Sequence, residues 1–200
     1  MKIESTETYT HWLDSLRDLR ARARIQARVE RLAVGNAGDA KPVGERVSEL
    51  RIDYGPGYRV YYTRRDKVLV ILLCGGDTHT GCRHQDREAA RQRTLTMPKL
   101  ETRKTVTHPY DVAQHLRTPE EMALYLDACI EEADGDVSFI AKALGDIARA
   151  KGMTQLARDT GLGRESLYKA MSADGNPSFA TVLKVTRALG MKLTAVPANP

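Results

Sequence analysis

The sequence predicts two small domains in series: an α+β domain of two helices and an antiparallel sheet, then an all-α domain built around two short helices joined by a tight turn. Three observations carry this reading. Within the first 77 residues, helical spacing gives way to alternating and apolar strand segments. Helix-start signals and helical stripes dominate the last third. The formal charge of +5 is also unevenly placed: Met1–Thr96 carries 18 Lys+Arg against 13 Asp+Glu, whereas Met97–Pro200 carries 13 of each.

Lys2–Ser5 reads as a short first strand. Thr8–Leu19 is helical, with Tyr9, Trp12, Leu13 and Leu16 on one stripe, and Arg22–Val34 is a second helix with Ile25, Val29 and Leu32 inside. Arg22, Arg24, Arg28 and Arg31 are expected mostly outside. Gly35, Gly38 and Pro42 break the pattern. Glu49–Tyr54 alternates, with Leu50, Ile52 and Tyr54 opposed to Arg51 and Asp53. After the turn signal Gly55-Pro56-Gly57, Tyr58–Tyr62 alternates again, with Tyr58, Val60 and Tyr62 against Arg59 and Tyr61. Val68–Cys74 is apolar throughout, as a strand covered on both faces is.

The expected domain map runs 1–77 for the α+β domain, 78–98 for an irregular junction with a candidate helix at Asp86–Leu95, 99–135 for a segment contacting the first domain, and 136–200 for the helical domain. Thr102–His108 reads as extended. Thr118-Pro119-Glu120-Glu121 is a capping box with Pro at the first helical position, and the stripe Met122, Leu126, Cys129 and Ile130 follows it. Asp136 caps a helix that carries Phe139, Ile140, Ala143, Leu144 and Ile147 and stops near Gly152. Two short helices follow, then a helix after Asn176-Pro177-Ser178 with Val182, Val185 and Leu189 inside. Lys192–Val196 is expected as a terminal strand.

Met153–Ala170, MTQLARDTGLGRESLYKA, has the pattern of a helix-turn-helix. Ala157 is the small residue that lets a second helix cross closely, and Gly161 is the residue tolerant of positive φ at the turn. Leu156, Leu162 and Leu167 hold the helices together. This places Arg164, Glu165, Ser166, Tyr168 and Lys169 on or near a surface that enters the DNA major groove; Arg164 suits a guanine or a phosphate, and Ser166 and Lys169 suit phosphate. The competing reading is an ordinary helix pair with a solvated face. In the first domain, Arg59 and Tyr61 share a strand face that Arg51 joins from the neighbouring strand. Such a cluster suits RNA, with Arg on phosphate and Tyr for stacking or proton transfer. The competing reading pairs Arg51 with Asp53 or Asp66 and half-buries the tyrosines.

Two resemblances sharpen these readings. VSELRIDYGPGYRVYY and the apolar strand ending LLCGGD resemble the RelE/ParE-like, HigB-type "addiction module killer" family, from Met1 to about Asp77. The resemblance implies a metal-independent, ribosome-dependent mRNA endoribonuclease in which the RNA 2′-hydroxyl attacks the adjacent phosphorus and cationic side chains stabilise the developing charge. It places Arg51, Arg59 and Tyr61 at the catalytic site. That family carries a lysine after Gly-Gly-Asp and a terminal helix; here Thr78-His79-Thr80-Gly81-Cys82-Arg83-His84 follows, as a frameshift from a toxin gene into an antitoxin gene leaves. The missing cation is expected to weaken catalysis. His79, Cys82 and His84 fit no standard metal spacing.

Essentially all of Met97–Pro200, including HPYDVAQHLRTPEEMALYLDACIEEADGD, resembles the lambda-repressor-like HigA-type addiction module antidotes. This implies a dimer that binds operator DNA upstream of its own operon. The joint expectation is a fused toxin–antitoxin protein, self-neutralised in cis or by a swapped dimer, with autoregulatory DNA binding. A residual mRNA interferase is the alternative, and an inert docking module a third. Asp111–Asp136, with eight acids and one base, is the expected partner of the basic first domain. No cofactor or metal is expected. The three cysteines read as reduced buried thiols. No apolar run reaches the roughly 18 residues of a membrane-spanning helix, and MKIESTETYTHW lacks a signal core, so the expected location is the cytoplasm.

Overall fold

A computed structural model describes residues 1–44, 46–65, 69–78, 106–172 and 175–195. The chain divides into two compact units, Met1–Asp111 and Val112–Pro200.

The first unit contains β1 (Lys2–Ser5), α1 (Glu7–Ser15), α2 (Leu19–Ala33), β2 (Ala40–Gly44), β3 (Val47–Ile52), β4 (Tyr58–Arg65), β5 (Leu69–Asp77) and β6 (His108–Pro109). The strand order is β2-β3-β4-β5-β1-β6. β2 to β5 form the expected antiparallel meander. The sheet as a whole is mixed, however, because β1 lies parallel to β5. That corrects the expectation of an antiparallel sheet: parallel neighbours need a long crossover, and here α1, α2 and the meander lie between β1 and β5.

Two caps set the helices. The Thr6 hydroxyl oxygen accepts from the Tyr9 N–H at the start of α1 and donates to the Leu73 carbonyl at 2.6 Å. Asp18 accepts from the N–H groups of Arg20 and Ala21, which starts α2 at Leu19, where the stripe alone had carried α1 through to Leu19. An aspartate at the N-cap is worth about 1 kcal/mol.

The face that α1 and α2 cover is the main core, with Tyr9, Leu13, Ile25, Leu32, Leu50 and Leu72 fully buried. Tyr58, Val60 and Tyr62 point into it as the alternation predicts. Gly75 of β5 is required there: a Cβ at this position would overlap the Trp12 ring. The arginines of α2 are a correction, since Arg22 and Arg28 are buried. Arg28 donates through Nη2 to the carbonyls of Ala37 at 2.9 Å and Asp39 at 3.3 Å, pinning the chain that leads into β2. Arg22 reaches Asp14, and Arg24 lies 5.0 Å over the Tyr54 ring. Long side chains bury their stems and carry their heads to partners. β2 itself was hidden by Gly38 and Pro42; it lies at the sheet edge, where a proline removes no needed donor.

In the second unit a 3₁₀ turn, Val112–His115, precedes α3 (Pro119–Ala133), α4 (Val137–Lys151), α5 (Met153–Thr160), α6 (Arg164–Ala170) and α7 (Phe179–Ala188). Thr118 and Glu121 form the expected capping box, Asp136 caps α4 and Ser178 caps α7. Tyr125, Leu144, Ile147, Leu156, Leu167 and Leu189 are fully buried. Residues 192–195 carry no regular structure, so the expected terminal strand is absent there: no strand of this unit is available to pair with it among the described residues. The candidate helix at Asp86–Leu95 and residues 102–105 lie outside the described residues. Cys74 is disulfide-bonded, a departure from the expected set of reduced thiols, and Cys129 is a buried free thiol. No helix among the described residues is long and apolar enough to cross a membrane.

Candidate nucleic-acid interfaces

On the sheet face opposite α1 and α2, Arg51 of β3 stands directly across from Arg59 of β4, and Glu49 stands across from Tyr61. Two like charges directly opposite on a sheet repel. Glu49 offsets this. Its carboxylate accepts from Arg51 Nε at 2.8 Å through Oε1, while Oε2 lies 4.0 Å from Arg59 Nε. Asp39 adds a longer contact to Arg51 at 3.8 Å. The hydrogen bond to Glu49, working against desolvation, raises the pKa of the Arg51 guanidinium above its ordinary value. The arginine side chains stay about one-third exposed, 34% and 29%, whereas that of Glu49 is only 9% exposed.

Sequence reasoning therefore brought Arg51, Arg59 and Tyr61 to one face and missed the carboxylate between them. The signal was present: Glu49 lies two residues before Arg51 on an alternating strand. Among the described residues the partners of Arg51 are Glu49 and Asp39 in place of the expected Asp53; the other expected partner, Asp66, lies outside those residues. Tyr61 is buried with Val47 and Cys74 in a small second core. The β4–β5 register shifts between Tyr61, opposite Cys74, and Tyr62, opposite Leu72; the extra residue, Leu73, lets Leu72 and Cys74, two apart on β5, join opposite faces.

In the second unit, α5 ends on Gly161 in the left-handed region, at φ 67°, a conformation that glycine adopts without a Cβ clash. Thr160 ties the turn by donating to the Leu156 carbonyl and accepting from the Leu162 N–H. α6 begins at Arg164 and fully buries Leu167. Arg164, Glu165, Ser166, Tyr168 and Lys169 are all exposed. The Arg164 guanidinium lies 5.6 Å over the Tyr168 ring, an arrangement that orders the cation without neutralising it. The outer face of α6 thus offers two cations, a hydroxyl and an aromatic ring beside one acid.

α6 rests on α4. The backbone of Met171, just past α6, sits against Gly145, where a Cβ would collide with its carbonyl. The next residue of α4, Asp146, is fully buried and escaped the sequence reading. It accepts from the Tyr125 hydroxyl at 3.0 Å and from Lys142 Nζ at 2.9 Å, and Arg149 Nη2 lies 2.9 Å from its other oxygen. A buried carboxylate survives only with such partners.

Residues 106–197 match the family described as "probable addiction module antidote protein". Two uncharacterized proteins of Haemophilus influenzae are similar to the chain. One is 53% identical over 83 residues, which is 42% of this chain and 84% of the relative; the other is 48% identical over 95 residues, 48% of this chain and 92% of the relative. No solved structure matches. The buried core of α3–α7 and the exposed cationic face of α6 therefore lie within a recognised sequence family: residues 106–197 form an antidote-like domain of the family of probable addiction module antidote proteins.

Proposed function

We propose that this protein is a fused toxin–antitoxin polypeptide whose surviving activity is DNA binding. The α5–turn–α6 pair acts as a helix-turn-helix, with Arg164, Ser166, Tyr168 and Lys169 facing the major groove and the phosphates, and Glu165 at its margin. The observation that carries this reading is the exposed cationic face of α6, set on a left-handed glycine turn and a buried Leu167, inside a region that matches the antidotes. A homodimer presents two copies of α6 to a palindromic operator, and occupancy of that operator represses the protein's own operon. Gel-shift titration with DNA from upstream of the gene tests this. Specific binding that weakens as salt rises is expected; absent or salt-insensitive binding overturns it.

A second reading is favoured by the facing Arg51 and Arg59. These cations can stabilise a phosphate that gains charge during RNA cleavage, and Glu49, already within reach of both, restrains them until a phosphate competes for them. The acidic stretch Asp111–Asp136 is then the element that silences the first unit, at a local concentration of about millimolar because the two are tethered. Growth arrest on expression of Met1–Asp111, relieved by Arg59→Ala, is the expected result; no arrest means that the first unit is not an active nuclease.

A further inference from the structure

The antidote match begins at residue 106, yet the first compact unit extends to Asp111. The overlap is structural. His108 and Pro109 form β6, antiparallel to β1 in the register Ser5↔His108 and Glu4↔Pro109. The Tyr110 N–H donates to the Ile3 carbonyl at 3.1 Å, and the Thr107 hydroxyl donates to Glu4 Oε2 at 2.6 Å. The Tyr110 ring meets the fully buried Tyr9 edge-on, centroids 6.0 Å apart, and packs against the main core.

A sheet edge left open is a template for any extended chain. The tether does not force this occupant on it: the 30 residues between Asp77 and His108 can span roughly 100 Å when extended. What selects the segment is its fit. Thr107 supplies a hydroxyl for Glu4, Tyr110 supplies both a backbone donor for Ile3 and an aromatic ring for Tyr9, and Pro109, which has no N–H to offer, sits on the outermost strand where none is needed.

We propose that residues 106–111 are the docking strand of the antidote region, and that the β1 edge with Tyr9 is its receptor, able to take the same Thr-His-Pro-Tyr segment from its own chain or as a separate peptide. This rests on the family assignment and on no assumption about RNA or DNA binding, so its failure and theirs are distinguishable. The test uses the full chain with the edge vacated by Thr107→Gly, His108→Ser, Pro109→Gly and Tyr110→Ser. Trp12, the single tryptophan, lies 5.9 Å from Tyr9 and reports on this part of the core.

The vacated variant is expected to melt roughly 5–10 °C lower by Trp12 emission, the shift that losing an aromatic pair and a few strand hydrogen bonds gives in a domain of this size. A synthetic peptide of residues Val106–Ala113 restores the midpoint. The same peptide with Tyr110→Ala is at least tenfold weaker, and the unaltered chain does not respond because its edge is filled. An unshifted midpoint, a peptide without effect on the vacated variant, or an equal effect on the unaltered chain overturns the proposal. Should the variant fail to fold, hydrogen exchange on the unaltered chain decides: the Tyr110 amide is protected along with the β1 amides, and exchange at the free-peptide rate overturns the proposal.

Discussion

Replacing Asp146 tests whether the second unit is organised around a buried polar junction. Asp146 and Tyr125 are both 0% exposed. In Asp146→Ala the Tyr125 hydroxyl loses its acceptor in a dry interior, a cost of about 1–3 kcal/mol. Lys142 and Arg149 also lose their partner, but their side chains are 23% and 46% exposed, so both turn to water and add less than the ~3–5 kcal/mol of a fully buried broken pair. A total near 3 kcal/mol follows, or a fall in Tm of roughly 12–24 °C for a unit of this size. Tyr125→Phe alone costs about 1 kcal/mol, the value of one hydrogen bond. In the Asp146→Ala background the same change is neutral or recovers up to about 1 kcal/mol, because the hydroxyl it removes has already lost the Asp146 carboxylate. The double-mutant cycle, read by urea unfolding with helical circular dichroism, is therefore expected to show coupling of about 1–2 kcal/mol. Additive losses would refute the argument that the hydroxyl and the carboxylate depend on one another.

Three further outcomes are expected. Glu49→Gln lowers the thermal midpoint of the first unit while raising its affinity for a labelled single-stranded RNA about fivefold at low salt, since one repelling charge near a phosphate is removed; fluorescence anisotropy that shows unchanged or weaker binding contradicts this. Leu167→Ala costs about 2–5 kcal/mol by denaturant titration, because the side chain that seats α6 is wholly buried, and DNA binding falls with it. The Glu4 carboxyl is held below its ordinary value of 4.5, chiefly by the Thr107 hydroxyl and then by Lys2, with Arg65 adding to the effect. Its stabilising effect is complete above that ordinary value and is lost as pH falls through the lowered one; Thr107→Val flattens this part of the acid stability profile, and an unchanged profile counts against the hydrogen bond.

Much of this architecture was legible because it rests on local rules. Alternation in β4 divided Tyr58, Val60 and Tyr62 from Arg59 and Tyr61, and the side-chain clusters follow that division. Thr118, Asp136 and Gly161 marked helix ends that the structure keeps. What escaped depends on partners distant in sequence. The parallel pairing of β1 with β5 is set by packing across 65 or more residues and leaves no local pattern. Arg22 and Arg28 read as surface residues until Asp14 and the carbonyls of Ala37 and Asp39 meet them. Asp146 looked like one polar residue on an amphipathic helix, and only the approach of Tyr125 from α3 makes its burial tolerable. The extended segment before the antidote helices was expected, but its seat on β1 was not, because an edge strand of two residues carries no periodicity.

The proposal that the two halves are fused can be checked in the DNA: across codons 75–97, a one-base shift that restores a lysine codon and a stop codon identifies a former pair of genes. The central claim, that the outer face of α6 reads operator DNA, is tested most directly by the salt dependence of binding to the upstream DNA for the unaltered chain, Lys169→Ala and Arg164→Ala. Lys169→Ala is expected to reduce the slope of log K against log salt by about 0.9 for its one lost phosphate contact, and Arg164→Ala to weaken binding further; slopes and affinities identical in all three proteins would contradict it.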